Sequence, residues 1–327
     1  MNVNVLGISD ISKALDLSET TVSRALSGKG RVSPETRRRV KEYAQQNSYV
    51  PNSIAQSLVT SKSYNIAFVM TGTPLENASF FRQCLIGVCS QANAMSYDVV
   101  IVNSNDNDER ELERIITKRK VDGIIITREL IPEVMGTLKK YQIPFILLGS
   151  SEDDEVNQVD TDVIKSGEEL IAQLTQQGIK KIAYIGELDR YTVNRRRLQG
   201  VKNASGSRFI FTCYGIATGE EIDLAIAAAL KECDCIITND DAMCLRVMNA
   251  LGRMKIAIPH QIKLASLYHD YILDMSTPRI TGINHNPQAF GIKAAETLIN
   301  ILEADDYPKQ GNKLWVEYSF IFGESTK

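Results

Sequence analysis

Apolar residues recur in two rhythms along this chain. Over roughly the first sixty positions they come three and four apart, as on one face of a helix. From Asn65 onward they come in short unbroken runs, separated by longer stretches of helical spacing. The runs NIAFVM, DVVIVN, DGIIIT, PFILLG, KIAYIG, RFIFTCYG, DCIITN and IKLASLY predict buried parallel strands, each bounded by polar or glycine positions. Helical spacing fills 79–95, 107–120, 132–141, 163–177, 190–204, 219–232 and 239–252. Strands alternating with helices predict α/β architecture built as doubly wound parallel sheets. The acidic stretch SSEDDEVNQVDTD (150–162) breaks the rhythm and predicts a boundary between two lobes. Asn286-Pro287 starts a last long helix to about Leu302, and KLWVEYSFIF alternates as one final edge strand does. On this reading the chain passes between lobes again near 284–287 and 310–315.

The first 48 residues predict a small all-α head. Ser9 is a cap for a first helix with Ile11, Ala14 and Leu15 on its inner face. Asp16-Leu17 makes a tight turn, with Asp16 accepting any left-handed conformation. Ser18 caps a second helix, ETTVSRALS, which puts Val22, Ala25 and Leu26 on one side and Thr20, Ser23, Arg24 and Ser27 on the other. Ser33 caps a third, with Pro34 at its first position. That helix runs to about Gln46, with Val40, Tyr43 and Ala44 inward and Arg37, Arg38, Arg39 and Lys41 mostly outward. Three short helices, the second after a tight turn, describe a helix-turn-helix. An outer face of small hydroxyls and one arginine suits a helix that enters a DNA major groove. Arg24 is placed for a bidentate contact with guanine, and the basic third helix and the loop GKGR, with Lys29 and Arg31, for phosphates.

Charge sharpens this picture. The chain has 327 residues and a net charge of −3, yet residues 1–63 carry nine Lys/Arg against five Asp/Glu. The remaining 264 residues are therefore acidic, so a polyanion partner belongs to the head alone. No apolar run reaches membrane-spanning length and MNVNVLGISDISK lacks the basic start and apolar core of a signal peptide, which places the protein in the cytoplasm. Cys84, Cys89, Cys213, Cys233, Cys235 and Cys244 show no zinc spacing, and His260, His269 and His285 are dispersed, so neither metal nor cofactor is expected.

Residues 49–62 predict a hinge. Pro51 disfavours helix at Val50. Asn52 caps about two turns, Ser53 to Val59, too short to hold alone in water, where roughly 12–15 residues are needed. Leu58 has little in one chain to bury against. In a symmetric dimer two such segments pair and their leucines wedge into a minor groove.

The stretch ISKALDLSETTVSRALSGKGRVSPETRRRVKEYAQQNSYVPNSIAQSL resembles the DNA-binding head and hinge of the lactose-repressor/galactose-repressor family of bacterial transcription regulators. The resemblance implies Glu19, Thr20 and Arg24 as base readers, and Ala55 and Leu58 as minor-groove contacts. The full DNA-facing set is then Glu19, Thr20, Ser23, Arg24, Ser27, Lys29, Arg31, Asn52, Ala55, Gln56 and Leu58. Asp16-Leu17 replaces the usual glycine-containing turn. Glu19 is acidic where many relatives are neutral; it accepts from a cytosine amine or simply favours the helix N-terminus.

In open α/β sheets ligands bind beyond the carboxyl ends of strands, and two facing lobes make a cleft. The residues there are Phe80-Phe81, Asn103-Ser104, Thr127-Arg128 and Ser150 from the first lobe. The second offers Asp160, Asp162, Glu187, Arg195 to Arg197, Asn239-Asp240 and Tyr268-His269-Asp270. Aromatic faces with planar Asn, Asp and Arg groups suit a sugar, although each residue also fits an ordinary capping role, Asp240 above all. The family resemblance extends over this body, residues 63–327, as a periplasmic-sugar-binding-like core. It implies Phe80 and Phe81 as the aromatic pair, Arg197 in RLQG as the effector arginine, and Asn239-Asp240 as a polar pair. The expected effector set is Phe80, Phe81, Ser104, Arg128, Asp162, Arg197, Asn239, Asp240 and His269. His269 stands where relatives often carry an aspartate, Ser79 replaces a usual proline, and NASGSRFIF is shortened. Two cleft arginines and one acid fewer make an anionic effector, a sugar phosphate, a candidate beside a plain sugar.

The expectation is a homodimeric regulator, a repressor of a carbohydrate-related operon, that binds a pseudo-palindromic duplex under control of a small effector. The rivals fare worse. There is no G-x-G-x-x-G after a strand, no phosphate loop and no serine nucleophile elbow, which argues against an enzyme. A transport receptor would have no use for the basic head.

Overall fold

The computed structural model describes residues 6–28, 30–49, 60–71, 78–104, 109–127, 132–151, 153–186, 192–206, 209–213, 219–304 and 311–327. They divide into two units, Met1–Ser63 and Tyr64–Lys327.

The first unit holds α1 (Ile8–Leu15), α2 (Glu19–Ser27) and α3 (Pro34–Gln46). Ile11, Val22, Ala25, Val40 and Ala44 form its core, with Leu15, Leu17, Leu26, Val32 and Tyr43 packed around them. Asp16 takes the left-handed conformation (φ 53°, ψ 50°) that ends α1. Ser18 accepts from the Thr21 amide at 3.2 Å, and Ser33 from the Thr36 amide at 3.1 Å. Two details differ from the sequence reading. α1 starts one residue before Ser9: Gly7 is its cap, and the Gly7 amide donates to the Asp10 carboxylate at 2.8 Å, so the acid in the first turn does the work assigned to a serine. Ala14 is exposed, because the inner face of so short a helix is filled by Ile11 and Leu15.

The second unit is two parallel α/β lobes. The first contains β1 (Asn65–Thr71), α4 (Ala78–Ala94), β2 (Asp98–Ser104), α5 (Glu109–Thr117), β3 (Gly123–Ile126), α6 (Pro132–Tyr141), β4 (Phe145–Leu148) and β5 (Gln158–Asp160). The second contains α7 (Val163–Gln176), β6 (Ile182–Ile185), α8 (Thr192–Ser205), β7 (Phe209–Cys213), α9 (Gly219–Glu232), β8 (Cys235–Thr238), α10 (Asp241–Arg253), β9 (Lys263–Ser266), α11 (Tyr271–Asp274) and β10 (Thr281–Asn284). Then α12 (Pro287–Glu303) returns to the first lobe, and β11 (Lys313–Trp315) and β12 (Ser319–Ile321) close the chain. The sheet orders are β11-β5-β4-β3-β1-β2 and β12-β10-β9-β8-β6-β7.

The sequence reading of one final strand is corrected. KLWVEYSFIF is two strands on different sheets: β11 runs parallel to β5, and β12 antiparallel to β10. Hydrophobic alternation continues unbroken through KLWVEYSFIF, so nothing in the pattern marks where the chain leaves one sheet for the other. β5 and β10 were also unforeseen. β5 lies inside the acidic stretch, and its burial is carried by Gln158 and Asp160 as well as Val159. The chain therefore crosses between lobes after Asp160, after Asn284 and after Trp315.

The first lobe packs α4 against α12 in backbone contact: a Cβ on Gly291 would overlap the Cys84 carbonyl oxygen, and one on Gly87 the Gln288 carbonyl oxygen. Among the described residues no helix is long and apolar enough to cross a membrane.

Candidate functional site

The head presents one exposed polar face. Capping by Ser18 starts α2, and burial of Val22 and Ala25 fixes its rotation. Glu19, Thr20, Ser23, Arg24 and Ser27 are consequently exposed together on the other side, with Arg31 exposed just beyond. The helix ends at Gly28 (φ 75°), and Gly30 (φ 82°) leaves room for the Arg24 side chain lying against it. The third helix does not offer all its arginines to a ligand, as its pattern suggested. Arg37 donates to the carbonyls of Gly28 (3.1 Å) and Gly30 (3.5 Å), and Arg39 to the carbonyl of Leu15 (3.2 Å). Both act as internal staples, satisfying carbonyls that helix ends leave open. Arg38 and Lys41 remain exposed. Lys29, Asn52, Ala55, Gln56 and Leu58 lie outside the described residues.

In the second unit, polar and aromatic groups converge at the carboxyl ends of the strands. Phe80 on α4 packs edge-on against Phe81 (5.3 Å), against Phe290 of α12 (5.5 Å) and across the lobes against Tyr268 (5.7 Å). The Arg197 guanidinium sits 5.8 Å from the Tyr268 ring centroid, and His285 stacks on Tyr268 at 6.0 Å. Burial first, and Arg197 second, hold the His285 imidazole down at about 3, so it is neutral and its Nε2 donates to the Leu267 carbonyl at 2.8 Å. Asn239, after β8, donates to the Asp240 carboxylate at 2.8 Å, and Asp240 in turn caps α10 by accepting from the Met243 amide at 2.8 Å. Asp162 likewise caps α7, accepting from the Lys165 amide at 3.0 Å. Ser104 ends β2 opposite Thr71. Arg128 lies outside the described residues.

His269, the residue expected in place of an acid, is followed directly by one, Asp270. His269 is buried beneath β10, its Cβ 3.0 Å from where a Gly282 Cβ would stand, and burial lowers its basicity despite Asp274 nearby. Asp270 instead reaches across the lobes: one oxygen accepts from Gln83 of α4 (2.9 Å) and from the Tyr271 amide (2.7 Å). Gln83, absent from the sequence candidates, follows Phe80 by three residues, so the helical repeat puts both on one face. Asp241 joins this acidic side. Burial, then Asp240 and Asp270, push its carboxyl up to about 6.

Several buried polar atoms here have no hydrogen-bond partner among the described residues: Thr127 Oγ1, Thr161 Oγ1, Arg197 Nε, Asn239 Oδ1, the Tyr268 hydroxyl and Asp270 Oδ2. Each follows a strand's carboxyl end or, for Arg197, faces Tyr268. Native proteins satisfy such groups, so a row of them at one edge calls for partners from outside the chain, ordered water or a bound ligand. No group of three or more His, Cys, Asp or Glu among the described residues is placed to hold a metal ion.

The comparisons agree with both halves. Residues 7–52 match the model for bacterial regulatory proteins of the lacI family, and residues 171–326 the model for a periplasmic binding protein-like domain. The chain is 27% identical over 309 residues to the HTH-type transcriptional regulator MalR of Staphylococcus xylosus, covering 90% of this chain and 91% of that protein. Its fold is that of the lac repressor dimer bound to operator and the anti-inducer ONPF (TM-score 0.77, 18% identity, 99% of each chain). It is equally that of the transcriptional regulator CelR in complex with cellobiose (TM-score 0.68, 21% identity, 98% of this chain and 99% of that one). This chain therefore carries a lacI-family helix-turn-helix domain followed by a periplasmic binding protein-like domain.

Proposed function

We propose that the protein is a homodimeric, cytoplasmic repressor of a carbohydrate operon, released from or recruited to its operator by a neutral sugar in the interlobe cleft. The row of unpartnered buried polar atoms beside Phe80, Tyr268 and Arg197 carries the effector half of this reading. Aromatic faces stack on the apolar side of a sugar ring, and Asn239, Asp270 and Arg197 supply planar groups that fork onto hydroxyls. Asp270 restores the acid that a sugar-binding cleft needs, while Asp240, Asp241 and Asp270 together disfavour an anionic ligand. The transcriptional regulator CelR, solved in complex with cellobiose, fits the same class.

On the DNA side, Thr20, Ser23 and Arg24 read base edges, Glu19 sits at the helix start, and Arg31, Lys29 and Arg38 hold phosphates. Asn52, Ala55, Gln56 and Leu58 make the minor-groove contacts of each head. Exposed Ile86, Ile101 and Ile292 in the first lobe are available to a second copy. Selection of duplexes from a random pool by the full-length protein tests the DNA half. Two inverted half-sites, about 10–10.5 bp apart or a multiple of it, are the expected product. Enrichment of a single asymmetric site, or of none, would refute it.

A further inference from the structure

Three consecutive arginines on α8 point three ways, as successive residues must when each turns by about 100°. Arg195 is exposed and donates to Thr192 at 2.9 Å. Arg197 faces Tyr268. Arg196, between them, leaves its own lobe. Its Nη1 donates to Ser150, just past β4, and meets the Asp160 carboxylate at 3.2 Å. Ser150 also donates to that carboxylate. Asp160 is nearly inaccessible, its side chain 5% exposed, and Arg196 only 23%.

The position matters more than the pairing. Asp160 is the last residue of β5, where the chain first leaves the first lobe; α7 begins three residues later in the second. The Val316 amide donates to the Asp160 carbonyl at 2.8 Å, so the last crossing passes the same point. Arg196 therefore grips the first lobe at the pivot itself, by its side chain, while two strands cross there by their backbones. All its partners belong to this chain, so the tie needs no ligand.

We propose that Arg196 is a positioning residue that braces the hinge: its ion pair with Asp160, shared with Ser150, sets the angle between the lobes and so the place of neighbouring Arg197 over the cleft. A buried charge pair at a pivot is discrete: it is either made or broken, which gives two lobe angles rather than a continuum. Ser150, Asp160 and Arg196 then shape effector response without touching effector.

The test measures lobe angle directly, in full-length protein with neither sugar nor DNA, so its outcome is independent of the function proposed above. Spin labels go on ketone-bearing residues replacing Lys118 and Lys255, both exposed in the loops that lead into β3 and β9, with labelled subunits diluted in unlabelled ones. Wild type should give one narrow distance distribution. Arg196→Leu and Asp160→Asn should each add a second, displaced population, and Arg196→Lys should restore most of the first. Because a lone buried charge can unfold a domain, the decisive variant is Arg196→Met with Asp160→Leu. Replacing both partners with apolar groups commonly leaves stability intact. If that folded double variant, checked by its thermal transition, keeps the wild-type distribution, the brace does not exist and the pair is only packing. If it broadens or shifts, the angle is set by the pair.

Discussion

At the scale of single residues, chemistry is decided by what each group is already bonded to. Arg24 is exposed on the polar face of α2, whereas Arg37 is committed to Gly28 and Gly30. Arg24→Ala should therefore cost about 1–3 kcal/mol of discrimination at one base pair in each half-site. Competition between duplexes differing only at that position measures it. Arg37→Ala should instead lower the head's own stability modestly, by about 0.5–1 kcal/mol, because both bonds are exposed and water can replace them, and weaken all duplexes alike. Asp241 gives a pH signature. Its carboxyl is raised from an ordinary 3.8 to about 6, so the folded state holds that proton more tightly than the unfolded one. Its contribution favours the fold below pH 4 and is lost as pH rises towards 6. Asp241→Asn should flatten stability over that window in urea unfolding measured at successive pH values; an unchanged slope would contradict the assignment.

Elements show which features were legible beforehand. The three head helices were, because Ser18, Ser33, Pro34 and Asp16 each carry a local backbone signal and the 3.6-residue spacing agrees with them. The strands of both sheets, β10 excepted, mostly were, because VVIV or IIIT runs have one reading between polar ends. β5 was not: Gln158 and Asp160 are polar residues buried by what surrounds them, and no window of sequence contains those surroundings. Nor was the division of KLWVEYSFIF between sheets, since alternation of period two is the same on either. Among the cleft candidates, Phe80 and Asn239 came from their positions after strands, and Arg197 from the family resemblance. Asp270 was placed at the cleft but left out of the effector set in favour of His269, because a one-residue offset in a loop leaves no trace in periodicity. The contact of α4 with α12 supplies a prediction of its own. Gly291→Leu should destabilise the second unit by well over about 3 kcal/mol, beyond the usual range for overpacking, since backbone rather than a side chain would have to move. Thermal unfolding that shows a small shift would contradict this close approach.

For the whole molecule, the account is one of coupling. In the coupling proposed here, a ligand enters the cleft, the lobe angle responds around the pivot at Asp160, and the head's hold on DNA changes. Such coupling typically amounts to 1–3 kcal/mol, about a 5–150-fold change in affinity. The most direct measurement is operator affinity by fluorescence anisotropy, titrated with maltose, cellobiose and glucose 6-phosphate, on wild type and on Asp270→Ala. The account predicts that a neutral sugar shifts the wild-type dissociation constant within that range, that the phosphate does not, and that the shift vanishes in Asp270→Ala. A shift produced by the phosphate alone, or one that survives loss of Asp270, would contradict it.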